Sequence, residues 1–263
     1  MRSVYDQECA REFASLQAQM NKYFYDVTVN CPYHQPYPAT FYQGVSGPMP
    51  DRGMELFLAA GYRRNGNYLY TMHCAGCSGC IPIRLHPRSF RPNRDQRRVL
   101  KKNADVDITV GTILPTVENL DLCEKFLQSR FPHKNNTAKG YYSGFFLNTI
   151  TPTFEFRYRM QGRLIGTGII DIGDNWLNAV YFFFDQDEAW RSLGTFNILT
   201  MVDFCLRKNI EYLYLGYCIR NVPAMNYKER FRPYYILVDS EWREGREVPP
   251  FVEKLGRSGR SGG

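Results

Sequence analysis

The stretch HCAGCSGC, residues 73–80, limits what this chain of 263 residues folds into more than any other segment. It places Cys74, Cys77 and Cys80 at two-residue gaps, so a single turn supplies three thiols. The opening residues lack the apolar middle of a signal peptide, and we expect a cytoplasmic protein whose thiols stay reduced. In that setting a dense cysteine cluster favours metal binding over disulfides.

The cluster needs a fourth ligand, because tetrahedral zinc and iron–sulfur clusters normally take four. Cys31, in the upstream stretch NCPYH, is the expected fourth ligand, with His34, His73 and His86 as alternatives. Zinc and an iron–sulfur cluster both accept four thiolates, so the sequence leaves that choice open. A redox thiol pair and buried thiols without a metal are the other interpretations.

Positive charge is concentrated in one segment of the chain. The formal net charge is +7, and residues 84–102 alone carry eight cations against one acid. Such a cluster is typical of a nucleic-acid binder, although a solvated helix face has the same composition. Asn93 and Gln96 have the spacing of a capping box, which predicts a helix from Arg94 to about Asn103. The candidate phosphate-binding residues are the cations of this helix: Arg94, Arg97, Arg98, Lys101 and Lys102.

Alternating apolar residues predict strands on both sides of the cysteines, in NYLYTMH and IPIRLH. The C-terminal half predicts an antiparallel meander in TFEFRYRM, RLIGTGIIDIG and NWLNAVYFFFD, with a tight turn at Gln161-Gly162. A helix over about 187–208 and the strands EYLYLGYCI and YYILVDSEW follow. The sequence therefore predicts an α/β (α+β) protein, and no apolar run is long enough to predict a membrane segment.

The order of meander, helix and strand resembles the GNAT superfamily of N-acetyltransferases. That superfamily opens its central helix with R/Q-x-x-G-x-G/A, where backbone amides hold a pyrophosphate. The matching residues here run from Arg191 to Phe196, and Phe196 replaces the last small residue. We expect its ring to crowd the pyrophosphate of coenzyme A, so the resemblance implies the acyl-transfer scaffold without its usual donor.

A more specific resemblance covers about residues 28–243. The stretches RRNGNYLYTMHCAGCSGCIPIRL and FRPNRDQRRVLKKN are similar to the N-terminal domain of aminoacyl-tRNA–protein transferases. The stretches VYFFFD, WRSLGTFNIL, YLYLGY and MNYK are similar to their C-terminal domain, in the same order. The family has leucyltransferases, which act on proteins that begin with Asp or Glu, and arginyltransferases. The compact length favours the bacterial leucyl type.

This resemblance implies a donor, an acceptor and a product. The donor is leucyl-tRNA or arginyl-tRNA, the acceptor is a protein with an acidic N-terminus, and the product carries an N-degron for protein turnover. An aminoacyl ester is already activated, and an α-amine with a pKa of about 7.7–8.0 is partly neutral in the cytosol. We therefore expect direct aminolysis, driven mainly by positioning and oxyanion contacts.

The resemblance also implies roles for individual residues. Glu155 matches a possible proton acceptor, and Tyr217 and Lys228 match positions that orient substrate or contact the oxyanion. Arg157 is a possible partner of the acidic acceptor side chain. The residues that begin the central helix are expected to meet the tRNA 3′ end: Arg191, Ser192, Gly194 and Thr195.

The chain departs from the leucyltransferase pattern at two places. It has SRFPHKNNTAKGYYSGFF where those enzymes carry an Arg-His pair and an acidic-Gly-Met element. Pro32-Tyr33-His34 replaces Ser-Tyr-Leu after the first cysteine. These differences leave open whether leucine or arginine is transferred.

We predict two domains and a tail. Residues 1–130 hold the cysteines and the basic helix, residues 131–250 form the GNAT-like aminoacyltransferase domain, and residues 251–263 form a flexible tail. Three other functions remain possible on the sequence alone. They are an arginyl-tRNA–protein transferase, a small-molecule N-acetyltransferase that binds coenzyme A, and a zinc-dependent RNA-binding module.

Overall fold

The computed structural model describes residues 3–132 and 134–245. The α-helices are α1 (Val4–Met20), α2 (Asp51–Ala59), α3 (Arg94–Lys102), α4 (Val117–Arg130), α5 (Ala138–Tyr141), α6 (Leu193–Lys208) and α7 (Pro223–Asn226). Short 3₁₀ turns cover Asn21–Tyr23, Pro87–Ser89, Gln186–Arg191 and Tyr227–Arg230, and a π-helical turn covers Tyr142–Phe146. In this part of the chain no helix is long and apolar enough to span a bilayer.

Two sheets organise the strands. The strands are β1 (Tyr25–Val29), β2 (Ala39–Val45), β3 (Arg63–Asn65), β4 (Tyr68–Met72), β5 (Ile81–Leu85), β6 (Val106–Thr112), β7 (Thr153–Met160), β8 (Arg163–Ile172), β9 (Trp176–Phe184), β10 (Tyr212–Cys218), β11 (Tyr234–Val238) and β12 (Glu241–Glu244). The smaller sheet has the order β1-β2-β4-β3, and the larger has the order β12-β11-β5-β10-β9-β8-β7-β6.

The predicted meander is confirmed. Strands β7, β8 and β9 pair antiparallel, and Gln161 and Gly162 both have positive φ, as a two-residue hairpin turn requires. Helix α6 then returns the chain so that β10 lies parallel to β9. This is the element order that the resemblance of the sequence to the GNAT acetyltransferases implies.

Only three residue pairs join β10 to β9, from Tyr212↔Trp176 to Tyr214↔Asn178. On its other side β10 pairs antiparallel with β5, and this pairing shifts register between Tyr214 and Tyr217. Gly216, inside the shift, has a φ of +79°, a conformation that favours glycine. The second half of β10 thus leaves β9 and forms a bulge.

The larger sheet draws strands from both predicted domains. β5 and β6 come from residues before 130, and they pair with β10 and β7 from the C-terminal half. The sheet therefore spans the predicted boundary at residue 130. The tail at residues 251–263 lies outside the described residues, as do residues 246–250.

Helix α6 buries the largest apolar cluster against the eight-stranded sheet. Phe196, Leu199 and Val202 of α6 pack there with Ile83 of β5 and Phe156 of β7. A second apolar cluster lies under α1 and α2, and a third lies between α4 and strands β8 and β9. Both faces of the sheet are covered, so its edges and strand ends are where functional groups can be reached.

A fully buried ion pair connects the two sheets. Arg64 of β3 donates to both carboxylate oxygens of Asp171 of β8 at 2.7 and 2.8 Å, and neither side chain is exposed. Thr153 and Asn178 also donate to Asp171, at 2.7 and 3.0 Å. Each charge therefore has a well-aligned partner of opposite sign.

We expect the Arg64→Met substitution to lower the free energy of unfolding by about 3–5 kcal/mol, because it leaves the Asp171 charge buried without its partner. Chemical denaturation measures this change, and the double variant Arg64→Met/Asp171→Leu should recover most of the loss. Arg207→Met is the matched control, since its pair with Asp203 is exposed and should be worth under about 1 kcal/mol. Equal losses for the two single variants would contradict this account.

Candidate functional site

The basic helix forms as predicted. Asn93 accepts from the Gln96 amide while the Gln96 side chain accepts from the Asn93 amide, which completes the capping box of α3. The five candidate cations on α3, Arg94, Arg97, Arg98, Lys101 and Lys102, are all exposed. Arg98 pairs with the exposed Asp95, a contact of small energetic weight. The helix thus presents a cationic face to solvent.

Arg191 is buried and ion-paired within the protein. Only 5% of its surface is exposed, and it makes a two-pronged ion pair with Asp105 at 2.7 and 2.8 Å. It also pairs with Glu188 and donates to the Lys102 carbonyl. The predicted tRNA contact is therefore held inside the protein, where it ties the end of α3 to the start of α6.

The start of α6 is open at its backbone. Ser192 adopts a left-handed conformation and separates the 3₁₀ turn Gln186–Arg191 from α6, so the helix predicted over 187–208 is broken there. Ser192, Gly194 and Thr195 are half-buried, and no atom of the described residues lies within 4 Å of a Cβ built on Gly194. The Phe196 ring is buried against Tyr158, on the core side of the helix. Our expectation that this ring crowds a coenzyme A pyrophosphate is therefore wrong.

Lys228 and Tyr217 meet at the bulge of β10. The Lys228 Nζ donates to the Tyr217 carbonyl at 2.7 Å, and a Cβ on Gly216 would lie 3.8 Å from that nitrogen. The Tyr217 hydroxyl donates to the Gly61 carbonyl at 3.3 Å. Burial raises the pKa of Tyr217, so its phenol stays protonated at neutral pH. The structure brings these two predicted residues together.

Sequence reasoning missed Arg63, which reaches the same bulge from β3. Its Nη2 donates to the Gly216 carbonyl at 3.1 Å, and its Nη1 donates to the Tyr62 and Leu58 carbonyls. Its Nε has no hydrogen-bond partner among residues 3–132 and 134–245. The only sequence signal was the doublet Arg63-Arg64, which strand alternation points to opposite faces.

Arg63 and Lys228, hereafter the buried cation pair, have no carboxylate partner among the described residues. They are 4% and 9% exposed. Burial lowers the pKa of Arg63, and burial lowers the pKa of Lys228 to about 8, with Arg63 adding to that effect and Cys218 opposing it. Burying an unpaired charge is unfavourable, so this pair is suited to an anion that arrives from outside.

Glu155 and Arg157 form a separate site. Glu155 is fully buried on β7, accepts from the Arg157 Nε at 2.5 Å and accepts twice from Asn119 at 3.0 Å. Burial raises the pKa of Glu155, while these hydrogen bonds oppose the rise. Strands β8 and β9 lie between β7 and β10, which is about 14 Å at the usual strand spacing. The structure does not bring Glu155 to the bulge.

The four predicted metal ligands surround one small cavity. Cys31, Cys74, Cys77 and Cys80 all line it, with Tyr33 and Ile219 among the other walls. The Thr40 and Gly79 amides donate to the Cys74 and Cys77 sulfurs at 3.4 and 3.3 Å. Burial, followed by the charges of the other three cysteines, raises the pKa of Cys80 to about 12.

This donor set fits zinc or an iron–sulfur cluster in its chemistry, because four cysteines line one cavity and backbone amides donate to two of their sulfurs. Within residues 3–132 and 134–245, however, no three His, Cys, Asp or Glu side chains are already arranged around a metal position. Metal binding therefore stays a prediction. The cysteine turn ends one residue before Ile81, which pairs with Cys218. The turn therefore lies at the same end of these strands as the bulge.

Comparison with known families gives two matches that together cover most of the chain. The family described as "Arginine-tRNA-protein transferase, N terminus" matches residues 29–98. The family described as "Arginine-tRNA-protein transferase, C terminus" matches residues 118–238. The cysteines and most of α3 lie in the first match, and the bulge and Lys228 lie in the second.

Curated relatives are similar over most of their length. An aspartate/glutamate leucyltransferase of Pseudomonas putida KT2440 is 36% identical over 200 residues, which is 73% of this chain and 85% of the relative. The protein of the same name from Pseudomonas entomophila L48 is also 36% identical, with the same coverage. Among solved structures, the C-terminal domain of a putative lysylphosphatidylglycerol synthetase from Agrobacterium fabrum has a TM-score of 0.44 at 11% identity, over 82% of this chain and 78% of that one.

We expect the Cys77→Ser substitution to lower the bound zinc or iron and the Tm together, because a metal held only by the folded state stabilises it. Elemental analysis and thermal unfolding of the purified protein measure both. Cys9→Ser is the control, since Cys9 lies on α1 outside the cysteine cavity. Wild-type metal content in Cys77→Ser would contradict the assignment.

Lys228 should leave a signature in the pH dependence of stability. Its pKa is about 8 in the folded protein and near 10.5 when unfolded, so between these values the unfolded chain binds more protons. Relative to Lys228→Met, the wild-type protein should gain stability as the pH rises from 8 to 10.5, and show no such difference in slope from pH 6 to 7.5. Denaturant unfolding across this range measures the difference, and parallel curves would show that Lys228 is solvated.

Proposed function

The chain belongs to the aminoacyl-tRNA–protein transferase family, and from this membership we propose that it moves leucine from leucyl-tRNA to proteins that begin with Asp or Glu. The enzyme class follows from the two family matches and the 36% identity to curated aspartate/glutamate leucyltransferases. The choice of leucine over arginine rests on those relatives. The product would carry an N-degron, made in the cytoplasm.

The observation that best supports an acidic acceptor is the buried cation pair. Arg63 and Lys228 have no carboxylate partner within the described residues, and a carboxylate from an incoming Asp or Glu would supply the missing charge. Arg157, the residue first expected in this role, already pairs with the buried Glu155. We therefore assign the acceptor side chain to the buried cation pair rather than to Arg157.

The donor is assigned to the neighbouring surface. α3 offers exposed cations to the tRNA phosphates, and the start of α6 offers open backbone at Gly194. β9 and β10 run parallel, so their carboxyl ends lie at the same end of the sheet. The start of α6 follows β9, and a loop follows β10, so both lie at that end. An ester held at the first place is thereby directed toward an amine held at the second.

The proposed reaction is direct aminolysis. The neutral α-amine of the acceptor attacks the carbonyl carbon of the aminoacyl ester, a new C–N bond forms, and the C–O bond to the tRNA ribose breaks. The tRNA 3′-terminal hydroxyl leaves with a proton that the amine loses. Tyr217 and Lys228 remain the proposed orienting groups, and Glu155 reaches the reaction only through neighbours because it lies three strands away.

The metal keeps a structural role in this proposal. Cys31, Cys74, Cys77 and Cys80 would hold zinc or an iron–sulfur cluster, which would fix the turn before β5. No step of the transfer is assigned to it. Because β5 pairs with both β10 and β11, a fixed turn would stabilise the end of the sheet at which the buried cation pair lies.

The transfer assay tests this proposal. Purified protein is mixed with leucyl-tRNA or arginyl-tRNA and with peptides that begin with Asp, Glu, Arg or Ala, and the products are weighed by mass spectrometry. We expect leucine on the Asp and Glu peptides only. Arginine on those peptides would move the chain to the arginyl lineage, and no addition from either donor would contradict the proposal.

We also expect the Arg63→Gln substitution to lower the kcat/KM ratio for Asp against Asn peptides at least tenfold, because it removes one of two cations that face the acceptor carboxylate. Arg207→Gln, at an exposed site on α6, should keep the wild-type ratio. An Arg63→Gln enzyme that is slower on both peptides, with an unchanged ratio, would place Arg63 outside acceptor recognition.

A further inference from the structure

One tryptophan of the three is exposed. Trp176 and Trp242 are 0% and 8% exposed, whereas Trp190 is 58% exposed. Large aromatic side chains are mostly buried in proteins, and exposed ones are typical of contact surfaces. Trp190 lies in the 3₁₀ turn Gln186–Arg191, three residues before α6 begins at Leu193.

The Trp190 ring is held in place by cations. The Arg191 guanidinium lies 4.5 Å from the ring centre, and Arg191 is itself fixed by Asp105 and Glu188. The Lys102 Nζ lies 5.8 Å from the ring centre and donates to the Trp190 carbonyl at 2.7 Å. Arg191 is buried and therefore supports the ring from the protein side, while Trp190 as a whole stays 58% exposed.

The surroundings of the ring match those of a single-stranded nucleic-acid site. Such sites combine cations that follow the phosphates with an aromatic ring on which a base stacks. The exposed cations of α3 extend from Lys102, beside the ring, toward Arg94. A partner that stacks on Trp190 would therefore meet positive charge on one side and the start of α6 on the other.

We propose that Trp190 is the stacking platform for an unpaired base near the 3′ end of the tRNA. This rests on the proposed function in taking an aminoacyl-tRNA as donor. The last nucleotides before the ester are unpaired, so their bases are free to stack while α3 holds phosphates. Stacking on the ring sets the position of the nucleotides that lead to the ester. It places them at the end of the sheet where the buried cation pair is proposed to bind the acceptor.

Trp190 fluorescence tests the proposal directly, because the other two tryptophans are buried. The probes are a deacylated tRNA with a complete 3′ end and the same tRNA without its unpaired 3′ nucleotides. We expect the complete tRNA to quench the emission and the shortened tRNA to bind with little quenching. In the Trp190→Phe variant the quenching should disappear while binding of the complete tRNA weakens only slightly.

The affinity of variants gives a second readout. Trp190→Ala should weaken binding of the complete tRNA about tenfold, leave the shortened tRNA unaffected and keep the salt dependence, because no charge is removed. The Arg97→Glu/Arg98→Glu variant should instead weaken both tRNAs and flatten the salt dependence. Leu206→Ala removes an exposed apolar side chain elsewhere on α6 and should match the wild type.

Three results would overturn the proposal. They are equal quenching by the two tRNAs, wild-type affinities in Trp190→Ala, and quenching by an Asp peptide in place of tRNA, which would give the ring to the protein acceptor. If tRNA binds normally and Trp190 has no effect, only this inference fails. If neither tRNA binds at low salt, the tRNA donor of the proposed function fails with it.

Discussion

The short parallel pairing of β9 and β10 is the constraint on which the rest of the site depends. It lasts for three residue pairs, after which β10 bulges at Gly216 and leaves its neighbour. At this bulge the backbone carbonyls of Gly216 and Tyr217 accept from Arg63 and Lys228. β5 pairs with the other side of β10, and the cysteine turn that precedes β5 therefore lies at the same end of the sheet as the bulge. One interrupted strand pair therefore places the four candidate metal-ligating cysteines, the buried cation pair and the start of α6 at the same end of the sheet.

Two adjacent arginines show how this fold distributes charge. Arg64 is paired with Asp171, and each of its three guanidinium nitrogens donates a hydrogen bond, so it connects the sheets. Arg63, its neighbour on β3, has carbonyl partners and no acid within the described part of the chain. An unpaired buried charge is unfavourable for stability, and proteins retain such groups where function uses them. The same alternation along one strand thus supplies a structural residue and a candidate binding residue.

Local patterns in the sequence were sufficient for the meander, the capping box of α3 and the gathering of four cysteines, because each depends on spacing within one segment or between neighbouring strands. Ion pairs between residues that are far apart in the sequence could not be predicted from these local patterns. The sequence offers no sign that Asp171, 107 residues away, pairs with Arg64, while Arg63 has no acidic partner in the part of the chain that the structure describes. Likewise Arg191 follows a family motif, yet Asp105 and Glu188 hold it inside. Trp190 was missed because the helix predicted over 187–208 included it, whereas the left-handed Ser192 delays the start of α6 to Leu193.

The central claim is that the buried cation pair binds the acceptor carboxylate, and calorimetric titration of the intact protein without tRNA tests it most directly. Two peptides that differ only in an N-terminal Asp or Asn are compared at pH 7 and pH 9.5. The account predicts at least tenfold tighter binding of the Asp peptide at pH 7, and a smaller preference at pH 9.5 because Lys228, with a pKa of about 8, has lost its proton. Equal affinities for the two peptides at pH 7 would contradict it.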